Sequence, residues 1–331
     1  MESRVQNPVH DHFALARQPA YARLFAQGKL TVGLILPLET HPDSPAPTMQ
    51  DHVEMAQKAD NLGFAALWMR DVPFYDPSYG DVGQVFDPMV YIAYLAAYTS
   101  RIALGTAGIV LPMREPLILA KQVASLDQLS RGRMVIGMSS GDRPSEYPLF
   151  GIDFETRGDR FRDAFSVYKT VIEESFPHFA SPRFGSAWGT LDLVPKPAYE
   201  RTPAIAVGHA QQSLAWIAKN MDGFIGSSPV THQLPAFATQ WHTLVSESCG
   251  AEQFKPLGIG GFLDLVEDPN EPLIRTRGGF RSGSKSLASF LHNAQNAGVN
   301  HVALNPKVSR RPYSELMDEL AADVLPHFPS H

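Results

Sequence analysis

A (β/α)8 barrel, an α/β fold, is the architecture this sequence predicts, and three observations lead to it. Eight short apolar segments alternate with eight stretches of helical period across residues 30–331, and such alternation means parallel strands joined by crossover helices. The strand segments are apolar without interruption, as strands buried on both faces are. Eight units suit a closed barrel, with an open doubly wound sheet as the alternative, because periodicity alone does not show closure.

The elements follow in order. Residues 1–29 read as an appended arm, helical around residues 19–27, covering part of the barrel or a partner subunit. Residues 30–38 form the first strand, and Thr48 is the expected N-cap of a helix running to Leu62. Strand two spans residues 64–69 and ends in Arg70-Asp71, before a polar and aromatic loop over 72–86 and a helix from 88 to 99. Strand three, residues 102–111, and strand four, residues 134–138, flank a helix that opens at Glu115-Pro116, where proline costs nothing. Both strands finish in small residues, Gly105-Thr106-Ala107-Gly108 and Gly137-Met138-Ser139-Ser140-Gly141, leaving room for something flat. After a helix over 156–176, residues 177–203 carry prolines and aromatics without helical period, an excursion between strands four and five. Strands five to eight fall at 204–207, 223–226, 257–266 and 301–304, each followed by a helix.

Composition narrows the function. The chain has 331 residues, 44% hydrophobic and 19% charged, with net charge −6. Its basic residues are scattered, which argues against nucleic acid. Cys249 is the single cysteine, so no intrachain disulfide or cysteine cluster forms. No apolar run reaches membrane-spanning length and no signal-peptide pattern opens the chain, so a cytoplasmic protein without a membrane partner is expected.

In a barrel, chemistry sits at the carboxyl ends of the strands. That rule selects Glu39, Arg70, Asp71, Ala107, Gly108, Ser139 to Arg143, His209 to Ser213, and Ser227 with Ser228. Two helix starts are candidate anion sites: Gly208-His209-Ala210-Gln211-Gln212-Ser213, and Arg281-Ser282-Gly283-Ser284. The alternative for each is a plain helix cap. Asp71, Asp142 and His209 could also converge on a metal, unless the aspartates pair with Arg70 and Arg143. P-loop and HExxH motifs are missing from the sequence.

The run LGTAGIVLP, followed by EPLILAKQVASLDQLSRGR and IGMSSG, closely resembles the luciferase-like flavin monooxygenase family. LWMRDVPF, SSGDRPSEYPLFGID and GVNHVALN resemble a branch of uncharacterised luciferase-type oxidoreductases, and the likeness extends from Leu30 to about Leu325. The resemblance implies a barrel that binds FMN, or in one large group a deazaflavin, with a non-proline cis peptide at a strand-three bulge, here Ala107-Gly108. It places the flavin phosphate at His209, Ala210 and Ser213, where luciferases carry glutamate, serine and threonine. Arg70 or Asp71 falls where luciferases have a catalytic histidine. Ser140 stands for their arginine after strand four, with Arg143 and Arg157 nearby.

The implied activity is a two-component monooxygenase that receives reduced FMN from a separate reductase and oxidises a small organic substrate with oxygen. Arg70, Asp71 and Arg143 are then the candidate catalytic residues. Ala107, Gly108, Ser139, Ser140, Gly208, His209, Ala210, Ser213, Arg281 and Gly283 are the candidate cofactor residues, and no metal is required. The residue 177–203 excursion and the 72–86 loop become candidate lids, with Trp188, Phe184, Phe74 and Tyr75 as a pocket wall. Deazaflavin-dependent hydride transfer, flavin binding without turnover and metal-dependent hydrolysis are the rival readings. Relatives that pair helices near the barrel's start imply a homodimer.

Overall fold

The computed structural model describes residues 15–227 and 233–330. Eight strands form the barrel: β1 (Thr31–Ile35), β2 (Ala66–Met69), β3 (Ala103–Thr106), β4 (Met134–Ser139), β5 (Ala204–Val207), β6 (Gly223–Ser227), β7 (Leu257–Leu265) and β8 (His301–Asn305). All neighbours pair in parallel. β1 pairs with β8 through Thr31 and His301, and β6 pairs with β7 through Phe224 and Leu257, so the sheet closes and the open alternative is excluded.

The arm contributes α1 (Pro19–Leu24), and a helix follows each strand: α2 (His52–Leu62), α3 (Pro88–Tyr98), α4 (Pro116–Ser130), α5 (Arg157–Glu173), α6 (Leu214–Asn220), α7 (Leu234–Cys249), α8 (Ser284–Ala297) and α9 (Tyr313–Asp323). Their buried faces pack on the barrel's outer surface as the main apolar core. A second core fills the barrel itself, where Trp68, Val135, Ile205 and Ile225 meet Tyr21, Leu24 and Phe25 of the arm. The arm therefore plugs the amino end. Gln18 holds it there, donating to the carbonyls of Gly132 at 2.7 Å and Met134 at 3.1 Å.

Several expectations need correction. Thr48 does not cap α2, which begins at His52; its amide and hydroxyl instead donate to the Glu39 carboxylate. Gly105 leaves no room for a ligand, because a Cβ there would meet the Trp68 ring at 2.4 Å. Gly137 is filled likewise, since a Cβ would lie 1.9 Å from the Thr106 carbonyl oxygen.

The bulge after β3 is present. Gly105 pairs with Val135 and Ile109 with Met138, so four steps on one strand match three on the other. Thr106 closes the gap, its hydroxyl donating to the Gly137 carbonyl and accepting from the Gly137 amide. The extra residue is thus absorbed with a trans Ala107–Gly108 bond. The cis bonds among the described residues are Leu36–Pro37 and Val194–Pro195.

The 177–203 excursion is not a lid. It forms an antiparallel hairpin, His178–Ser181 with Gly185–Trp188, and lies along α4 and α5 on the barrel's flank. Gln128 donates to the Lys196 carbonyl, Lys196 reaches the Val171 carbonyl, and Phe184 is buried under Arg160. None of its described residues lines the cleft at the barrel mouth.

Candidate active site

At the carboxyl ends of β2 to β5 the barrel opens into a cleft of about 380 Å³. Arg70, Asp71, Ala107, Gly108, Ser139, Ser140, Arg143, Gly208, His209 and Ala210 all line it. Fold geometry explains the convergence, because parallel strands deliver their following loops to one face. Ser213 stands just outside as the N-cap of α6, its hydroxyl accepting from the Trp216 amide. Ser228 lies outside the described residues.

Arg281 and Gly283 sit elsewhere. Arg281 belongs to a hairpin (Ile274–Thr276 with Gly279–Ser282) that adds to the outer part of β7, and Gly283 follows it as the N-cap of α8. Arg281 pairs with Asp264 at 3.0 Å, and the amides of Lys285 and Ser286 at the start of α8 donate to the Pro269 carbonyl. This second candidate anion site is occupied by the protein's own carbonyl oxygen.

The cleft's floor is the bulge. Gly108 has no space for a side chain, since a Cβ would meet Val207 at 2.8 Å and Ser139 at 3.1 Å. The Ser139 hydroxyl donates to the Gly108 carbonyl at 3.2 Å, tying the bulge to β4.

One wall is the loop after β5, where Gly208, Ala210 and Gln211 all have positive φ, 64°, 49° and 59°. Two of these are not glycine, and left-handed backbone at such residues costs energy that the surroundings must hold in place. Gln212 does so, donating to the carbonyls of Gly158 and Ala210 and accepting from Arg162. Among the described residues, no acceptor faces the amides of His209, Ala210 and Gln211. Amides turned inward by left-handed residues form an anion-binding concavity. Beside it, α5 packs Gly158 against Gln211, and the neighbouring Arg157 has a buried Nε without a partner.

The two carboxyl-end residues of β2 are paired within the protein. Arg70 forms an ion pair with Asp81, which also takes the Lys307 ammonium at 2.7 Å. Burial would raise the Asp81 pKa, but Arg70 and Lys307 outweigh it and hold the carboxyl well below the usual carboxylate range. Asp71 does not pair with Arg70 or Arg143. It is clamped by Arg114 and accepts from the Val110 amide at 2.9 Å. Among the described residues no three His, Cys, Asp or Glu side chains share a metal-binding geometry, so Asp71, Asp142 and His209 do not form the ligand set considered above.

Arg143 is buried and donates to the Asp81 carbonyl at 2.9 Å and the Phe74 carbonyl at 3.4 Å, under the Tyr79 ring. With Asp81 it pins the 72–86 loop across the mouth. Phe74 and Tyr75 are exposed at the rim and do not form a pocket wall.

Glu146 escapes a strand-end reading because it lies five residues past Gly141. Its side chain is 4% exposed, lines the cleft, and leaves Oε1 without a hydrogen-bond partner. Arg143 stands 3.9 Å away, beyond hydrogen-bonding distance. Burial raises the Glu146 pKa, opposed by Arg143 and reinforced by Asp71, Asp142 and Asp76.

The described residues form a closed (β/α)8 barrel whose strand-end side chains gather in one cleft at its carboxyl face. The chain belongs to the luciferase-like monooxygenase family, whose sequence profile matches residues 30–238. It is 31% identical over 146 residues to limonene 1,2-monooxygenase from Rhodococcus erythropolis, covering 44% of this chain and 36% of that protein. Over 150 residues it is 30% identical to 4-hydroxyprotoasukamycin monooxygenase from Streptomyces nodosus subsp. asukaensis, covering 45% and 39%. The chain thus spans under two fifths of the length of these two relatives.

Among solved structures, a monooxygenase from Streptomyces bottropensis superposes with a TM-score of 0.75 at 18% identity, over 90% of this chain and 99% of that one. An F420-dependent secondary alcohol dehydrogenase gives 0.73 at 16% identity, over 89% and 98%. The oxygenating constituent of 3,6-diketocamphane monooxygenase from Pseudomonas putida, solved with FMN, gives 0.69 at 13%, over 92% and 100%. These likenesses show the shared fold. No helix of the described residues is long and apolar enough to cross a membrane.

Proposed function

We propose that the protein is a flavin-dependent oxidoreductase of the two-component type, using reduced FMN from a separate reductase and oxygen on a small organic substrate. The observation that carries this reading is the loop Gly208–Gln211, with left-handed residues that line the cleft and amides at 209–211 that have no acceptor among the described residues, next to the bulged floor at Ala107-Gly108.

The residues present fit the cofactor. The amides of His209, Ala210 and Gln211, with Arg157 beside them, would hold the phosphate. Ala107, Gly108 and Ser139 would support the ring. Bound reduced FMN supplies the electron pair for oxygen chemistry. Arg143 contributes a fixed positive charge at the cleft, and Glu146, whose pKa burial raises, presents a carboxyl oxygen that lacks a hydrogen-bond partner. The 72–86 loop, pinned by Asp81, limits water access at the mouth.

One observation favours a second reading, flavin binding without turnover: Arg70 and Asp71 are both committed to ion pairs within the protein. The homodimer is part of the proposal, supported by Val90, Tyr94 and Tyr98, which lie exposed four residues apart along α3.

Parallel titrations with oxidised FMN, reduced FMN and reduced deazaflavin test the reading. Binding of reduced FMN with oxygen consumption is expected. Binding of the deazaflavin alone would transfer the site to hydride chemistry, and binding of neither would sink the proposal.

A further inference from the structure

At the opposite end of the barrel, where α3 and α4 finish beside the arm, lies a groove of about 640 Å³. Arg23, Arg101, Arg131 and Arg133 line it, and no carboxylate is among its described lining residues. The protein as a whole carries net charge −6, so four cations on one groove are a local reversal of sign.

One carboxylate, Asp60, stands near them and bonds neither Arg23 nor Arg133. Arg133 is buried and gives its N–H groups only to neutral oxygens, the carbonyls of Ser130, Ile102, Ala96 and Thr99 and the Thr99 hydroxyl. Arg23 donates to the Phe64 carbonyl at 3.3 Å, and its Nε has no partner. Burial lowers the pKa of both, with Asp60 opposing. Asp60 is itself committed, accepting from the amides of Ser100, Arg101 and Ile102 and the Ser100 hydroxyl. It reaches the Arg101 Nε at 3.8 Å, and its backbone carbonyl accepts from Arg101 Nη2 at 3.0 Å. Arg131 has no ion pair among the described residues, and its neighbour Leu129 is exposed on the same edge.

We propose that this groove is a second ligand site, taking a phosphorylated small molecule of nucleotide size through Arg101 and Arg131. Guanidinium forks match phosphate oxygens in pairs, which ammonium groups do not. Arg133 and Arg23 supply charge from behind. The volume falls within the range of small-molecule sites, and Ala96, Ala97 and Leu129 offer an apolar side for the rest of the molecule. The groove is independent of the mouth cleft and of the cofactor proposed there.

Calorimetric titration of the full chain with inorganic pyrophosphate and with ADP tests the assignment. Binding that weakens as salt rises is expected. The R101Q/R131N variant should bind at least tenfold more weakly while its FMN affinity stays unchanged. Arg131 has φ of 59°, a conformation asparagine tolerates, so the α4 terminus is preserved. If the double variant fails to fold, R131N alone is used, with a threefold loss as the threshold. A wild type that takes up neither probe, or variants that fall short of these losses, overturns the proposal, the latter by assigning the anion to the mouth cleft.

Discussion

His301, fully buried beside the arm, has its protonation fixed by its neighbours. The Thr31 hydroxyl donates to the Leu24 carbonyl, so it can only accept from His301 Nδ1–H at 2.8 Å. Trp68 Nε1 donates to His301 Nε2 at 2.9 Å. A second ring proton would have no acceptor, and burial pushes the pKa down to about 3 from 6.5. The folded pKa is depressed, so the unfolded chain binds the proton first as pH falls. Stability from this group is full above about pH 6.5 and is lost progressively towards pH 3. Urea unfolding should show that slope, and His301→Leu should abolish it while costing about 1–3 kcal/mol at pH 7 through the orphaned Trp68 N–H. Glu146 gives the second prediction. Its raised pKa means a neutral carboxyl at lower pH, so FMN, whose phosphate is anionic, should bind more tightly as pH falls. Glu146→Gln should bind FMN tightly with a flattened pH profile, read by fluorescence quenching; an unaltered profile would remove Glu146 from the cleft's chemistry. At this scale the sequence reveals least. Arg70, Asp71 and Arg143 are visible as strand-end charges, but Asp81 lies 11 residues from Arg70 and 62 from Arg143, Arg114 lies 43 from Asp71, and nothing local encodes those pairings.

Among the elements, strands and helices were legible because burial on both faces leaves an apolar run and amphipathic helices leave a period. What connects them was less so. Thr48 has the chemistry of an N-cap, yet the nearby Glu39 carboxylate claims its hydroxyl. Small residues at Gly105 and Gly137 read as space for a ligand, while Trp68 and the Thr106 carbonyl use that space. The hairpin hidden in residues 177–203 has no alternating pattern because both strands are largely exposed. The 72–86 loop owes its position to Asp81, and Gln84 assists by bonding both backbone groups of Arg70. Replacing Asp81 with alanine leaves Arg70 and Lys307 uncompensated, for which a loss of about 3 kcal/mol is expected. The depressed Asp81 pKa gives the opposite sign of pH dependence from a raised one: its stabilisation is present above the ordinary carboxylate range and lost as pH falls below it. Limited proteolysis should cut Asp81→Ala faster within residues 72–86 than wild type, and equal rates would show the loop is held by other contacts.

For the whole molecule, the number of strand–helix units foretold the barrel, whereas its closure and its plug came from long-range contacts. The arm's Tyr21, Leu24 and Phe25 complete the interior that Trp68 begins, so the amino end is sealed and the carboxyl end is left open for chemistry. One exposed apolar surface lies on the flank. Val90 is 68% exposed, Tyr94 44% and Tyr98 45%, a stripe of one helical face that a monomer has no reason to present to water. Tyr94 and Tyr98 rings already pack together at 4.9 Å, and Ile118 of α4 lies exposed as well. A self-complementary contact through α3 about a two-fold axis would bury this stripe once on each copy. Light scattering on the eluted protein should then give twice the 36.4 kDa chain mass. Val90→Lys combined with Tyr94→Asp places opposite charges four residues apart on the same face, which preserves the helix while making its burial costly. That variant should elute at 36.4 kDa with its circular dichroism unchanged, and a mass that stays doubled would move the interface off α3.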